Sequence, residues 1–297
     1  MMDNKHDHEE HDELSSEWSR RDFVAMSLAA GIAAATTATS AAELPVVETN
    51  VEVKTPDGTC DAAFIRPTTG VHPGVLIWSD AFGLRPALRE MGKRLAAEGY
   101  SVLVPNPFYR VAKAPVLDTA TFNFQNPTDR AKLTPLMGSV NGAAERDAIA
   151  FIAFLDAQRQ VDKSKKIGTQ GYCMGGPLVV RTAAAVSNRV GAGGSFHGGG
   201  LVTDAPDSPH LLAPKIHARM YFGIAANDDQ RQPDAKDKLK AAFAAANVPA
   251  EIEVYPNAQH GWCMTDMPAQ AGMPIYSKPD AERAWSKLLA LYKTALA

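Results

Sequence analysis

The chain is poor in the features that would place it in several common classes. Its 297 residues contain three cysteines, Cys60, Cys173 and Cys263. These cannot all pair within one chain, and their separations match no zinc-ligand spacing, so neither a disulfide scaffold nor a zinc module is expected, and no metal is assigned. No basic tract or aromatic-studded basic face is present, and the formal charge is only -3, which argues against a nucleic-acid partner. A run of roughly 20 strongly apolar residues is also missing, so no stable membrane anchor is expected. What remains is a chain with 45% hydrophobic and 21% charged residues, enough to bury a full core.

The charge is unevenly spread. Residues 1–42 hold three Lys/Arg against eight Asp/Glu, leaving 27 against 25 in the body. The first eighteen residues, "MMDNKHDHEEHDELSSEW", are acidic and His-rich without apolar periodicity and read as a solvated tail, on which His6, His8 and His11 bind metal at most adventitiously. Then Arg20-Arg21, with Ser19 before and Phe23 after, precede a weakly apolar stretch rich in Ala, Gly and Thr that ends in "SAA". That order resembles a twin-arginine export signal, with cleavage expected after Ala42 and a periplasmic destination. The alternative is a disordered cytoplasmic tail.

From Glu43 onward strands and helices alternate. "VVETNVEVKTPDGTCDAAFIRP" reads as two strands about a Pro56-Asp57-Gly58 turn, and "GVLIWSD" as a strand buried on both faces. Leu84, Leu88, Met91 and Leu95 mark a helix, followed by the strand "YSVLVPN", a helix over Glu145 to Gln158 and the strand "KKIGTQGYC". Pro177 to Ser187, "RVGAGGSFHG", "ARMYFGIAAND", the helix face Leu239-Ala242-Phe243-Ala246, "AEIEVYP" and a last helix around Trp285 and Leu288 continue the alternation. It implies an α/β fold with a mostly parallel central sheet and helices on both faces, residues 43–297 forming one domain. Pro107 to Asn141 breaks the pattern with four prolines and no sustained period. A flap over the site is expected there, with a short helix near Asp129 to Met137.

Chemistry concentrates at "GYCMGG", residues 171–176. G-x-C-x-G between a strand and a helix has the form of a nucleophile elbow, whose glycines allow a sharp turn to present a strained side chain. The start of the following helix favours a thiolate at Cys173. Downstream, His260 in "NAQHGW" follows the last strand, and "AANDDQ" offers Asp228 or Asp229 at a strand end, with Asp228 preferred. His197, ending a strand before three glycines, is a rival base; it is expected to line the site and touch substrate. Trp78, Phe122, Phe124 and Trp262 suggest an apolar or aromatic acyl group. Two other readings stay open at this level: a non-catalytic binding module, and a redox thiol at Cys173 resolved by Cys263.

"IWSDAFGLR", "GYCMGG", "AANDDQ" and "NAQHGW", in that order, resemble the dienelactone hydrolase family, over about Val46 to Leu296. The resemblance implies an α/β-hydrolase fold and hydrolysis of a small ester or lactone through a thioester acyl-enzyme, without metal or cofactor. It implies Cys173 as nucleophile, Asp228 as acid and His260 as base, with the backbone N–H groups of Ala81 and Met174 as oxyanion donors. Asp80 matches a glutamate that interacts with the resting thiol and is one methylene shorter. Phe108 stands where a substrate-contacting tyrosine is expected, with Tyr109 beside it.

Overall fold

Short apolar runs become strands here because both faces of the sheet are covered. In the computed structural model, which describes residues 43–269, 272 and 274–296, β3 (Gly74–Trp78), β4 (Ser101–Pro105) and β5 (Ile167–Tyr172) are buried at every position. Such strands need no polar alternation, since neither face meets water. The acidic stretch and the export-signal reading at residues 1–42 lie outside the described residues.

The chain opens with β1 (Val46–Thr55) and β2 (Gly58–Pro67), an antiparallel pair closed at Thr55 and Gly58. Three more strands follow β5: β6 (Val190–Phe196), β7 (Arg219–Ala225) and β8 (Ala250–Tyr255). The eight strands lie in the order β1-β2-β4-β3-β5-β6-β7-β8, antiparallel as far as β4 and parallel from β4 to β8. From β3 the chain steps outward to β4, then returns across β3 to reach β5. That reversal opens a crevice at the carboxyl ends of β3 and β5, where open α/β sheets bind ligands.

Among the described residues the α-helices are, in chain order, α1 (Pro86–Ala97), α2 (Pro127–Val140), α3 (Ala144–Ala157), α4 (Gly175–Ala185), α5 (Ala226–Arg231), α6 (Ala235–Ala245) and α7 (Lys278–Ala295). One core joins α3, α4 and α6 to the sheet through Phe151, Leu155, Val179 and Phe243. The other joins α1 and α7 to the opposite face through Leu88, Leu95, Leu288 and Tyr292. Among the described residues no helix is long and apolar enough to cross a membrane.

The Pro107–Asn141 region is more ordered than its composition suggests. Instead of one short helix near Asp129 to Met137 it carries the whole of α2, started by Pro127 and by the Asn126 side chain, which accepts from the Thr128 N–H at 2.9 Å. Pro135 forfeits a helical hydrogen bond, yet the helix runs on because Leu136 and Val140 beyond it are buried. Tertiary packing overrides a local breaker.

Candidate active site

At the end of β5 the backbone turns through Cys173, whose φ is +53°, and enters α4 two residues later. A side chain in this left-handed region costs roughly 1–2 kcal/mol. The surrounding glycines leave no alternative path. A Cβ on Gly171 would lie 2.1 Å from the Gly175 carbonyl oxygen, and one on Gly175 would lie 2.6 Å from that of Trp78. The Cys173 N–H is shared between the Phe196 carbonyl and His197 Nδ1, each at 3.1 Å, while the Gly176 N–H donates to the Cys173 carbonyl at 3.0 Å. The main chain of the elbow is thereby tied to the end of β6.

His260 reaches the same place from the loop after β8. Its N–H donates to Asn227 Oδ1 at 2.9 Å, and its Nδ1 lies 2.7 Å from Asp228 Oδ2. Asp229 turns away and pairs with Lys236 Nζ at 2.7 Å. Both aspartates sit in the first turn of α5, where the strand reading "ARMYFGIAAND" overran β7. A helical turn separates adjacent side chains by about 100°, so only one of the two can face His260. Burial by itself would lower the imidazole pKa. The hydrogen bond that the ring donates to Asp228, together with its interaction with Cys173, outweighs it, raising His260 to about 10.

Cys173 and His260 open into one cavity of about 400 Å³, which Asp80, Ala81, Phe82 and Phe124 also line. Asp80 is buried and committed. Arg85 Nη1 donates to its Oδ1 at 2.7 Å, Arg85 Nη2 to its Oδ2 at 2.9 Å, and the Phe82 N–H to Oδ1 at 2.9 Å. The same guanidinium reaches Asp266, through Nε at 2.8 Å and Nη2 at 2.9 Å. A carboxylate held this way has its lone pairs occupied by cationic and amide donors rather than by the thiol.

Three residues expected at the substrate surface lie elsewhere. His197, Phe108 and Trp262 are each fully buried. The φ of His197 is +41°, which turns its ring under the elbow, 5.1 Å from the His260 ring and 5.0 Å from that of Trp262. It is therefore a support beneath Cys173 and does not line the cavity that Cys173 and His260 share. Burial, reinforced by nearby His260, holds its pKa well below the ordinary imidazole range. Trp262 stacks on Tyr255 with ring centroids 4.9 Å apart, and Phe108 packs under Gly83. Trp78 is likewise core, its indole N–H donating to Thr182 Oγ1 at 2.9 Å. Of the aromatics singled out in the sequence, Phe124 reaches the cavity and Phe122 backs it.

All three thiols are free. Cys263 faces a different cavity, of about 160 Å³, between α1 and α7, with Tyr172, Phe196 and Trp285, and burial pushes its pKa well above the usual thiol value. The resolving partner required by the redox reading thus faces away from the Cys173 cavity. Among the described residues no group of three or more His, Cys, Asp or Glu side chains is placed to hold a metal ion.

Sequence reading missed Arg85, Asp266 and Asn227. Asn227 was adjacent to a named candidate, but its role depends on meeting the His260 backbone. Arg85 closes the quoted "IWSDAFGLR", and a buried arginine five residues after a buried aspartate was the available signal.

The sequence profile of the dienelactone hydrolase family matches residues 60–296. The chain belongs to the dienelactone hydrolase family. As a member it is a hydrolase acting on ester-type bonds. It is 28% identical to the carboxymethylenebutenolidase of Rhodococcus opacus over 197 residues, 65% of this chain and 71% of that one. Its fold is similar to that of a dienelactone hydrolase-like promiscuous phosphotriesterase from metagenomic libraries, with a TM-score of 0.67 and 23% identity over 85% of this chain and 99% of that one. It is also similar to an acylaminoacyl peptidase from Pyrococcus horikoshii, with a TM-score of 0.61 and 14% identity over 85% of this chain and 42% of that one. These likenesses establish the α/β-hydrolase fold for this dienelactone hydrolase family member.

Proposed function

We propose that this protein hydrolyses small esters or lactones through a thioester formed on Cys173. One observation carries the reading. The thiol at the elbow opens into the same cavity as His260, whose Nδ1 lies 2.7 Å from Asp228 Oδ2. With Nδ1 committed to Asp228, Nε2 is the nitrogen left to exchange a proton with sulfur and later with water.

Cys173 Sγ, its proton already passed to His260, adds to the carbonyl carbon. Collapse of the tetrahedral species expels the alcohol, which leaves with the proton from His260. Water then attacks the thioester as His260 takes its proton, the C–S bond breaks to release the acid, and that proton is again shared between His260 and Sγ. Asp228 holds the ring orientation and the positive charge that forms on it. The Ala81 N–H, from the loop after β3, and the Met174 N–H, just before α4, serve as donors to the developing oxyanion. Asp80, held by Arg85, stays a spectator of the thiol.

The test is intact-mass spectrometry with p-nitrophenyl acetate. An adduct of one acetyl group is expected on wild type and none on Cys173→Ala, whose kcat/KM falls by at least about 10³-fold. Full activity in Cys173→Ala would exclude this mechanism.

A further inference from the structure

We infer that the site is built for esters whose acyl part is a bulky apolar arm, of the size of an octanoyl or phenylacetyl group, seated against α2 and a cluster of three phenylalanines. The inference rests on the proposed acyl-enzyme chemistry and adds the substrate class.

The first support is the division of α2 into two faces. Asp129, Leu136 and Val140 are buried and anchor the helix. Arg130, Leu133 and Met137, spaced three and four residues apart, form a separate stripe that lines the cavity containing Cys173. Leu133 is half-buried and Met137 is 39% exposed. Apolar side chains on the anchoring face have found their partners in the core. Those on the cavity stripe have no such cover, and a bound apolar arm would supply it.

The second support is the wall opposite. Phe82, on the loop after β3, meets Phe122 and Phe124 edge to face, with centroids 5.0 and 5.8 Å away, and those two meet each other at 5.0 Å. Arg130 Nη1 donates to the Phe124 carbonyl at 2.8 Å, so the aromatic loop and the helix act as one unit. Met267 and Ile275 extend the same lining. Asp80, buried in the lining, is paired with Arg85, and the two arginines that also line the cavity, Arg130 and Arg231, are exposed to solvent, so an apolar arm meets no uncompensated charge beside Asp80.

Size agrees with this. A cavity of roughly 150 Å³ accepts a benzene ring. About 400 Å³ therefore holds a phenyl or medium alkyl arm together with the ester group.

The test is an acyl series with a constant leaving group, p-nitrophenyl acetate, butyrate, octanoate and phenylacetate, measured as kcat/KM and as acylated mass. Each methylene removed from water favours the bound transition state by roughly threefold to fourfold, so octanoate should exceed acetate by at least about tenfold. Leu133→Gln and Met137→Gln should each cut the octanoate-to-acetate ratio by about fivefold or more. Ile149→Gln, at an exposed apolar position on α3 outside the cavity lining, should leave the ratio unchanged. Acylation of Cys173 with a flat series, or an unaltered ratio in both α2 variants, overturns this inference while leaving the thioester mechanism standing. Turnover without acylation of Cys173 overturns the mechanism instead, and the ratio in the α2 variants then decides the acyl preference on its own.

Discussion

Cys173 shows at the scale of one residue how function is placed against stability. Its φ of +53° is easy for glycine and strained for any residue with a Cβ. Cys173→Gly should therefore abolish turnover while raising the unfolding free energy by about 1 kcal/mol, read from urea titration at neutral pH. A loss of stability would mean that sulfur packing outweighs the backbone strain. His197 shows the converse arrangement. Its Nδ1 receives the Cys173 N–H, so the ring has to stay neutral at that atom for the elbow to keep its hydrogen bond. A second histidine close to the proposed nucleophile looks like a rival base in the sequence, yet burial makes it a fixed acceptor.

Among elements, the decisive link is Arg85. From the residue just before α1 it joins Asp80, after β3, to Asp266, in the loop that follows His260. Two cavity-lining loops from distant parts of the chain are thus held by one guanidinium. Arg85 and Asp80 are almost fully buried, 3% and 1% exposed. Removing the cation strands a carboxylate away from water. Arg85→Met should therefore cost about 3–5 kcal/mol, and Asp266→Asn, whose partner keeps Asp80 and whose own side chain is partly exposed, distinctly less. Denaturant unfolding of both variants checks the ranking, and equal losses would show that the two links carry the same weight. The same scale explains α2: a helix with a proline in it persists because Leu136 and Val140 anchor it on the far side of that proline.

At the scale of the whole molecule, the buried His197 and the half-buried His260 divide the pH axis. His260 holds its proton more tightly folded than unfolded, about 10 against 6.5, so its contribution to stability is complete below about pH 6.5 and disappears as pH rises through about 10. His197 is shifted the other way, so its contribution is present above about pH 6.5 and erodes as pH falls below that value. Thermal unfolding from about pH 5 to about pH 11 should show the gap between wild type and Asp228→Asn narrowing at the alkaline end. His197→Gln, which keeps an acceptor for the Cys173 N–H, should flatten the acid limb. Parallel curves for wild type and both variants would contradict these assignments.

The strand-helix alternation, the mostly parallel sheet and the elbow at residues 171–176 were legible in the sequence, because each depends on spacing within a few residues: buried runs, helix periodicity, and glycines where no Cβ fits. The chain order of Cys173, an acidic strand end and His260 was legible for the same reason. Other questions had no local answer. Asp228 and Asp229 are neighbours with the same chemistry, and only the rotation of α5 against the loop after β8 directs the first to His260 and the second to Lys236. His197, Phe108 and Trp262 lie close in sequence to site segments, but the turn at +41° and the packing around Tyr255 and Gly83 bury them. Cys263 is three residues from His260, and the sheet nevertheless sends its thiol into another cavity. Sequence by itself determined which segments carry reactive groups; the tertiary structure decided which side chains meet, because contacts between distant segments depend on how the sheet and its helices pack.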